Sequence, residues 1–100
     1  MENLSLMTDK EILVMLSAKA KSLRLQKNLR QSDLAQKSGL SLPTIRAFEK
    51  TGLISFANLI KITRALGAIE TFSSLFPPLP MIDIEQMIAA EQKQKKRARK

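Results

Sequence analysis

Residues 31–50, QSDLAQKSGLSLPTIRAFEK, read as a helix from Gln31 to Lys37, a tight turn at Gly39, and a second helix that opens at Ser41 and reaches Lys50. Leu34, Ala35, Leu40, Ile45 and Phe48 are its apolar points, and polar or basic residues fill the rest. Gly39 can take the left-handed backbone that a sharp reversal needs. Ser41 is a sound N-cap, and Pro43 falls in the first turn, where its missing N–H costs nothing. Arg30 stands where Ser, Thr or Asn normally caps a helix, a local departure from good capping chemistry.

The flanking sequence continues in helices. Thr8 with Glu11 three residues on is a capping-box pattern. Ile12, Leu16, Ala20 and Leu23 then follow at i, i+4, i+8 and i+11, which predicts a long helix from Asp9 to Lys27 with that stripe inward. Leu13 and Met15 lie off the stripe and point to a further burial surface. Asn28, tolerant of left-handed backbone, ends the helix. Downstream, Thr51-Gly52 is a breaker, Ser55 caps a helix carrying Leu59, Ile62 and Leu66, and Gly67 closes it. A short helix over Ile69–Phe76 puts Ile69, Phe72 and Leu75 on one side. Pro77-Pro78-Leu79-Pro80 forbids helix and enforces an extended arm. A last helical stretch starts at or before Asp83 and holds Ile84, Met87 and Ile88. The closing QKQKKRARK is low in complexity and expected to be disordered unless bound. With no strand signal and no repeat, the fold is all-α.

Composition narrows the chemistry. One hundred residues make one domain with appended segments. The chain has no Cys, which excludes disulfides and thiolate metal sites, and no His, Trp or Tyr. It has no nucleophile–base pair, metal cluster or phosphate-cradling glycine loop, so no enzyme, metal or cofactor is expected. The MENLSLMTDKE start is not a signal peptide, and no apolar run spans a bilayer, so a cytoplasmic protein that contacts no membrane is expected. The net charge of +8 is patterned. Residues 10–66 and 93–100 are strongly basic, and residues 67–92, with Glu70, Asp83, Glu85 and Glu91, are acidic. Such basic blocks favour polyanions without specifying sequence.

Two short helices joined by a glycine turn are the spacing of a helix-turn-helix, whose second helix is free to enter a DNA major groove. Residues 16–76 further resemble the five-helix DNA-binding domain of the phage-repressor and Cro class, the XRE family. The resemblance rests on Leu23-Arg24, the run Leu29 to Ala35, Ser38-Gly39-Leu40-Ser41, Thr44-Ile45, Phe48-Glu49, and Leu59 through Ala65-Leu66-Gly67. It implies a lambda-repressor-like fold with a C-terminal extension. It also implies that Gln31 bonds a DNA phosphate and that Leu42, Pro43, Thr44 and Arg46 open a recognition helix at the base edges. Arg46 alone of these can give guanine a bidentate contact, while Leu42 and Pro43 can touch a thymine methyl or fill space. Ser41, Thr44 and Asn58 are candidates for phosphate bonds, with simple capping the rival role for the first two. Arg30 and Lys50 complete the candidate DNA-binding set, Lys50 acting with Lys37 as general positive field. In the resembled family the Arg at the position of Arg24 pairs with the Glu at that of Glu49, a structural role.

The layout outside this core resembles HipB-type regulators, which accompany HipA-type kinase toxins in toxin–antitoxin operons. This resemblance implies a homodimer on double-stranded, palindromic operator DNA, autorepression, and a complex with a HipA-like toxin kinase or its companion subunit. The division expected is a DNA-binding domain over 8–76, a Pro-rich arm and short helix over 77–92 for dimer or partner contact, and a basic tail over 93–100. The apolar Phe72, Leu75, Phe76, Leu79 and Met81 to Ile88 exceed what a small core needs and are the candidate dimer surface. The tail has three readings: flanking phosphates, an acidic partner, or an inert solubilising end. Two other function classes stay open: an interaction adaptor that does not read DNA sequence, and a non-specific nucleic-acid binder driven by the tail.

Overall fold

The computed structural model describes residues 3–78 and 84–98, the last five by their backbone alone. Among these residues the chain forms α1 (Asp9–Gln26), α2 (Gln31–Ser38), α3 (Leu42–Thr51), α4 (Phe56–Ala65) and α5 (Ile84–Ala98), with 3-10 segments at Leu4–Leu6 and Ile69–Ser74 and no strand. α1 packs on α3, α3 on α2, α2 on α4, and α4 on the second 3-10 segment.

Local chemistry sets the helix ends. The capping box at α1 is complete: the Thr8 N–H donates to the Glu11 carboxylate at 2.9 Å, and the Glu11 N–H donates to the Thr8 hydroxyl at 3.1 Å. α1 stops one residue earlier than the apolar spacing suggests, at Gln26, and Asn28 takes the left-handed conformation with φ 57°. α2 lacks a side-chain cap from Arg30 but is compensated by Asp33, whose carboxylate accepts from the Arg30 N–H at 2.8 Å and from its guanidinium. Those bonds, side chain first, hold the Asp33 carboxyl below the ordinary aspartate range. Gly39 reverses the chain at φ 74°, and Ser41 accepts from the Thr44 N–H at 3.2 Å to start α3. Ser55 does the same for α4 through Asn58.

Leu34, Ala35, Ile45, Phe48, Ile62 and Leu66 form the buried core, with Leu23, Leu29, Leu40, Leu42 and Leu59 packed half-buried around it. The stripe expected on α1 holds at Ala20 and Leu23, which pack against the core, and needs correction in its first half. Leu16 is 46% exposed and Ile12 only half-buried, whereas the buried side chains of α1 are Ser17 and Arg24. The helix is turned so that Ser17, Ala20 and Arg24, at i, i+3 and i+7, face the domain, with the Leu13 backbone at the edge of that face. The cause is proximity. A Cβ placed on Gly52 would lie 2.5 Å from the Leu13 carbonyl oxygen, so the α1 backbone rests directly on the end of α3. Leu13, read as a second burial point, stays partly exposed beside its packed carbonyl.

Two C-terminal expectations change as well. Ile69–Ser74 is a 3-10 segment rather than an α-helix to Phe76, and Phe72 on it meets the edge of the Phe56 ring at 5.7 Å between centroids and 81°. The stretch after Glu91, expected to be disordered, continues α5 to Ala98. Gln, Lys, Arg and Ala are all good helix formers, and no breaker interrupts them. Pro77 and Pro78 are non-helical, while the rest of the arm and the start at Asp83 lie outside the described residues.

Gly39 and Gly52 share a left-handed backbone, but only Gly52 is hemmed in, since a Cβ at Gly39 meets nothing within 4 Å. Gly39→Ala should therefore cost about 1 kcal/mol. Gly52→Ala adds overpacking against the α1 backbone and should cost about 2–4 kcal/mol in all. Urea denaturation of the two variants measures the difference.

Candidate nucleic-acid interface

The geometry of α3 is set from behind. Its inward residues Ile45 and Phe48 are buried in the core. Its last turn carries Glu49, whose carboxylate accepts from Arg24 Nε at 2.6 Å and Nη2 at 2.9 Å, and from the Gln31 side-chain amide at 3.0 Å. The third arm of Arg24, Nη1, donates to the Leu29 carbonyl at 2.7 Å. One buried carboxylate thus joins α1, the loop before α2, the first residue of α2 and the end of α3. Side-chain exposure is 7% for Arg24 and 4% for Glu49. Burial by itself would raise the Glu49 carboxyl. The hydrogen bonds from Arg24 and Gln31, with the charges of Arg24 and Lys21, overcome it and hold the group below the ordinary glutamate range.

This anchoring leaves Pro43, Arg46, Ala47 and Lys50, at i, i+3, i+4 and i+7, as the exposed face of α3. Neither Arg46 nor Lys50 has an intramolecular polar partner among the described residues. Leu42 does not belong to that face: it is half-buried against the core. Ser41 and Thr44 sit at the N-terminus of α3 with their hydroxyls 2.8 Å apart, so one of the two hydroxyl protons is spent between them. Asn58 is half-buried in the first turn of α4. Arg30 is exposed beside Asp33.

Two features escaped the sequence reading. Ala47 stands in the middle of the exposed α3 face, which its spacing of four from Pro43 already encodes. A basic groove of about 360 Å³ runs between the end of α2 and α4, lined by Lys37, Ser38, Lys61, Arg64 and Ala65. The i, i+3 spacing of Lys61 and Arg64 was its only sequence signal. No group of three or more His, Cys, Asp or Glu among the described residues is arranged to hold a metal ion, and none of the described helices is long and apolar enough to cross a membrane.

Removing one partner of a buried pair strands the other charge, so Arg24→Ala should destabilise the fold by about 3–5 kcal/mol. Because the folded-state Glu49 carboxyl is depressed, its stabilisation is complete above the unfolded glutamate pKa and is lost as pH falls through the lower folded value. Urea midpoints measured from neutral to acid pH should fall less steeply for Glu49→Gln than for the parent; parallel curves would contradict the assignment.

A family model described as helix-turn-helix matches residues 21–71, from the second half of α1 into the 3-10 segment after α4. That is just over half of the chain, and the chain belongs to this family, of the XRE type. The matched domain is a DNA-binding regulatory domain rather than an enzymatic one. No curated protein matches the chain.

Proposed function

We propose that this helix-turn-helix protein is a sequence-specific transcriptional repressor that lays the exposed face of α3 in the major groove of its operator. The observation that carries the reading is the anchoring of α3: Ile45, Phe48 and Glu49 are held by the rest of the domain, while Pro43, Arg46, Ala47 and Lys50 are turned to solvent. Arg46 is assigned a bidentate contact to guanine O6 and N7. Gln31, Asn58, Arg30 and the one of Ser41 and Thr44 that keeps a free hydroxyl proton are assigned to flanking phosphates, where helix N-termini add their own attraction for anions. Gln31 suits this role because its amide keeps a second N–H after donating to Glu49. Leu42, half in the core, props the start of α3. Lys50 and Lys37 supply field.

The protein is assigned a homodimeric state on a palindrome whose half-sites lie about 34 Å apart. Leu53, Phe56, Leu75 and Phe76 are exposed, Phe56 against the edge of the half-buried Phe72, and these uncovered apolar side chains support the assignment. Ile84, Met87 and Ile88, exposed at i, i+3 and i+4 on α5, support a role for the extension over 77–92. Leu79 and Met81 lie outside the described residues. The antitoxin role, with autorepression and a HipA-like kinase or its companion as partner, rests on the layout of the chain alone. The working place is the cytoplasm, at the nucleoid.

Footprinting on the protein's own promoter tests the central reading: a protected palindrome is expected. Arg46→Ala should then weaken binding by about 5- to 150-fold per half-site, the worth of one bidentate base contact. Unchanged affinity in both Arg46→Ala and Gln31→Ala would instead favour the adaptor reading, to which the apolar Leu42-Pro43 pair lends support. Deleting residues 93–100 should lower the slope of log affinity against log salt by up to about 5 per protomer if all six cations of a tail meet phosphates. An unchanged slope would remove the tail from the interface.

A further inference from the structure

The exposed face of α3 is poor in hydrogen-bonding groups at the place where a groove-reading helix normally carries them. Pro43 and Ala47 occupy its first two turns and have no side-chain donor or acceptor. The hydroxyls of Ser41 and Thr44 are turned on one another and on the α3 N-terminus, which leaves the Thr44 methyl and a single free proton at that end. Arg46 is the one side chain of those turns with a full set of unspent donors. In the major groove the partner that an apolar side chain can recognise is a methyl group at C5 of a pyrimidine, carried by thymine and absent from cytosine.

Resting on the reading of α3 as the groove-entering helix, we infer that Pro43 and Ala47 specify thymine by its C5 methyl group, beside one guanine held by Arg46. The two residues are one helical turn apart, about 6 Å, which spans on the order of two base-pair steps. The half-site is therefore a short run with thymines on both sides of a guanine contact. Its discrimination among bases comes from buried methyl surface as well as from hydrogen bonds. The same chemistry makes binding indifferent to cytosine methylated at C5 in place of thymine at these positions, as far as the methyl contact goes.

The experiment uses the full chain and the palindrome found by footprinting, with single thymines replaced by deoxyuridine, which deletes the methyl group and keeps the pairing edge. Replacement under α3 should weaken binding about three- to fivefold per methyl, the worth of one lost buried carbon, and replacement outside the half-site should change nothing. Ala47→Ser, at an exposed position, should abolish the difference between thymine and deoxyuridine at one base pair and leave it at the other. A footprint that persists with full indifference to deoxyuridine would overturn the methyl contact while leaving the repressor reading intact. Retained sensitivity at every position in Ala47→Ser would remove Ala47 from the contact. The absence of any footprint would overturn the repressor reading, and this inference with it.

Discussion

Everything that orients α3 converges on the carboxylate of Glu49. Three hydrogen bonds reach it from two helices, and the guanidinium that supplies two of them also ties down the Leu29 carbonyl before α2. A buried ion pair contributes little net stability, because desolvation offsets most of the attraction, yet breaking it from one side is costly. Its contribution lies in geometry. A bidentate guanidinium accepts a carboxylate in one plane and at one distance, so it specifies the position of α3 relative to α1 more sharply than apolar packing does.

The close approach of α1 to α3 follows from the same arrangement. For Arg24 to reach Glu49, the face of α1 that bears Arg24 must lie against α3, and Ser17 and Ala20 share that face. Gly52 then receives the Leu13 carbonyl at a distance no side chain tolerates. Burying polar and small residues here displaces apolar ones elsewhere. Leu13, Val14, Leu16 and Leu25 remain exposed on α1, and Leu53, Phe56, Leu75 and Phe76 beyond α3 and α4. A chain of this size has a small core, and this one leaves much of its apolar surface for contacts outside it.

The solvent side of α3 shows the complementary economy. Its cap occupies the Ser41 oxygen, the Ser41–Thr44 contact spends one of their two hydroxyl protons, its core contact takes half of Leu42, and what remains facing outward is Pro43, Arg46, Ala47 and Lys50. The positive charge of the groove of Lys37, Lys61 and Arg64 gives attraction for anions without selectivity. Selectivity has to come from the few groups on that face.

Much of this was legible in the order of residues. The capping box at Thr8, the serine caps at Ser41 and Ser55, and the left-handed Asn28 and Gly39 depend on neighbours a few residues away, so the sequence determined them, and helical spacing marked Leu34, Ile45, Phe48 and Leu66 as inward positions of an all-α fold. On the α1 stripe Ala20 and Leu23 pack on the core while Leu16 is exposed, because periodicity alone does not fix how a helix is rotated against its neighbours. Which face turns inward was decided by Arg24 meeting Glu49, 25 residues on, and by the absence of a side chain at Gly52. The site divides the same way. Arg46 was evident from its chemistry, whereas the place of Ala47 on the exposed face, the retreat of Leu42 into the core and the tie between Gln31 and Glu49 belong to the tertiary structure. The physical reason is that burial and pairing are relations between distant residues, and a local pattern carries only half of each relation.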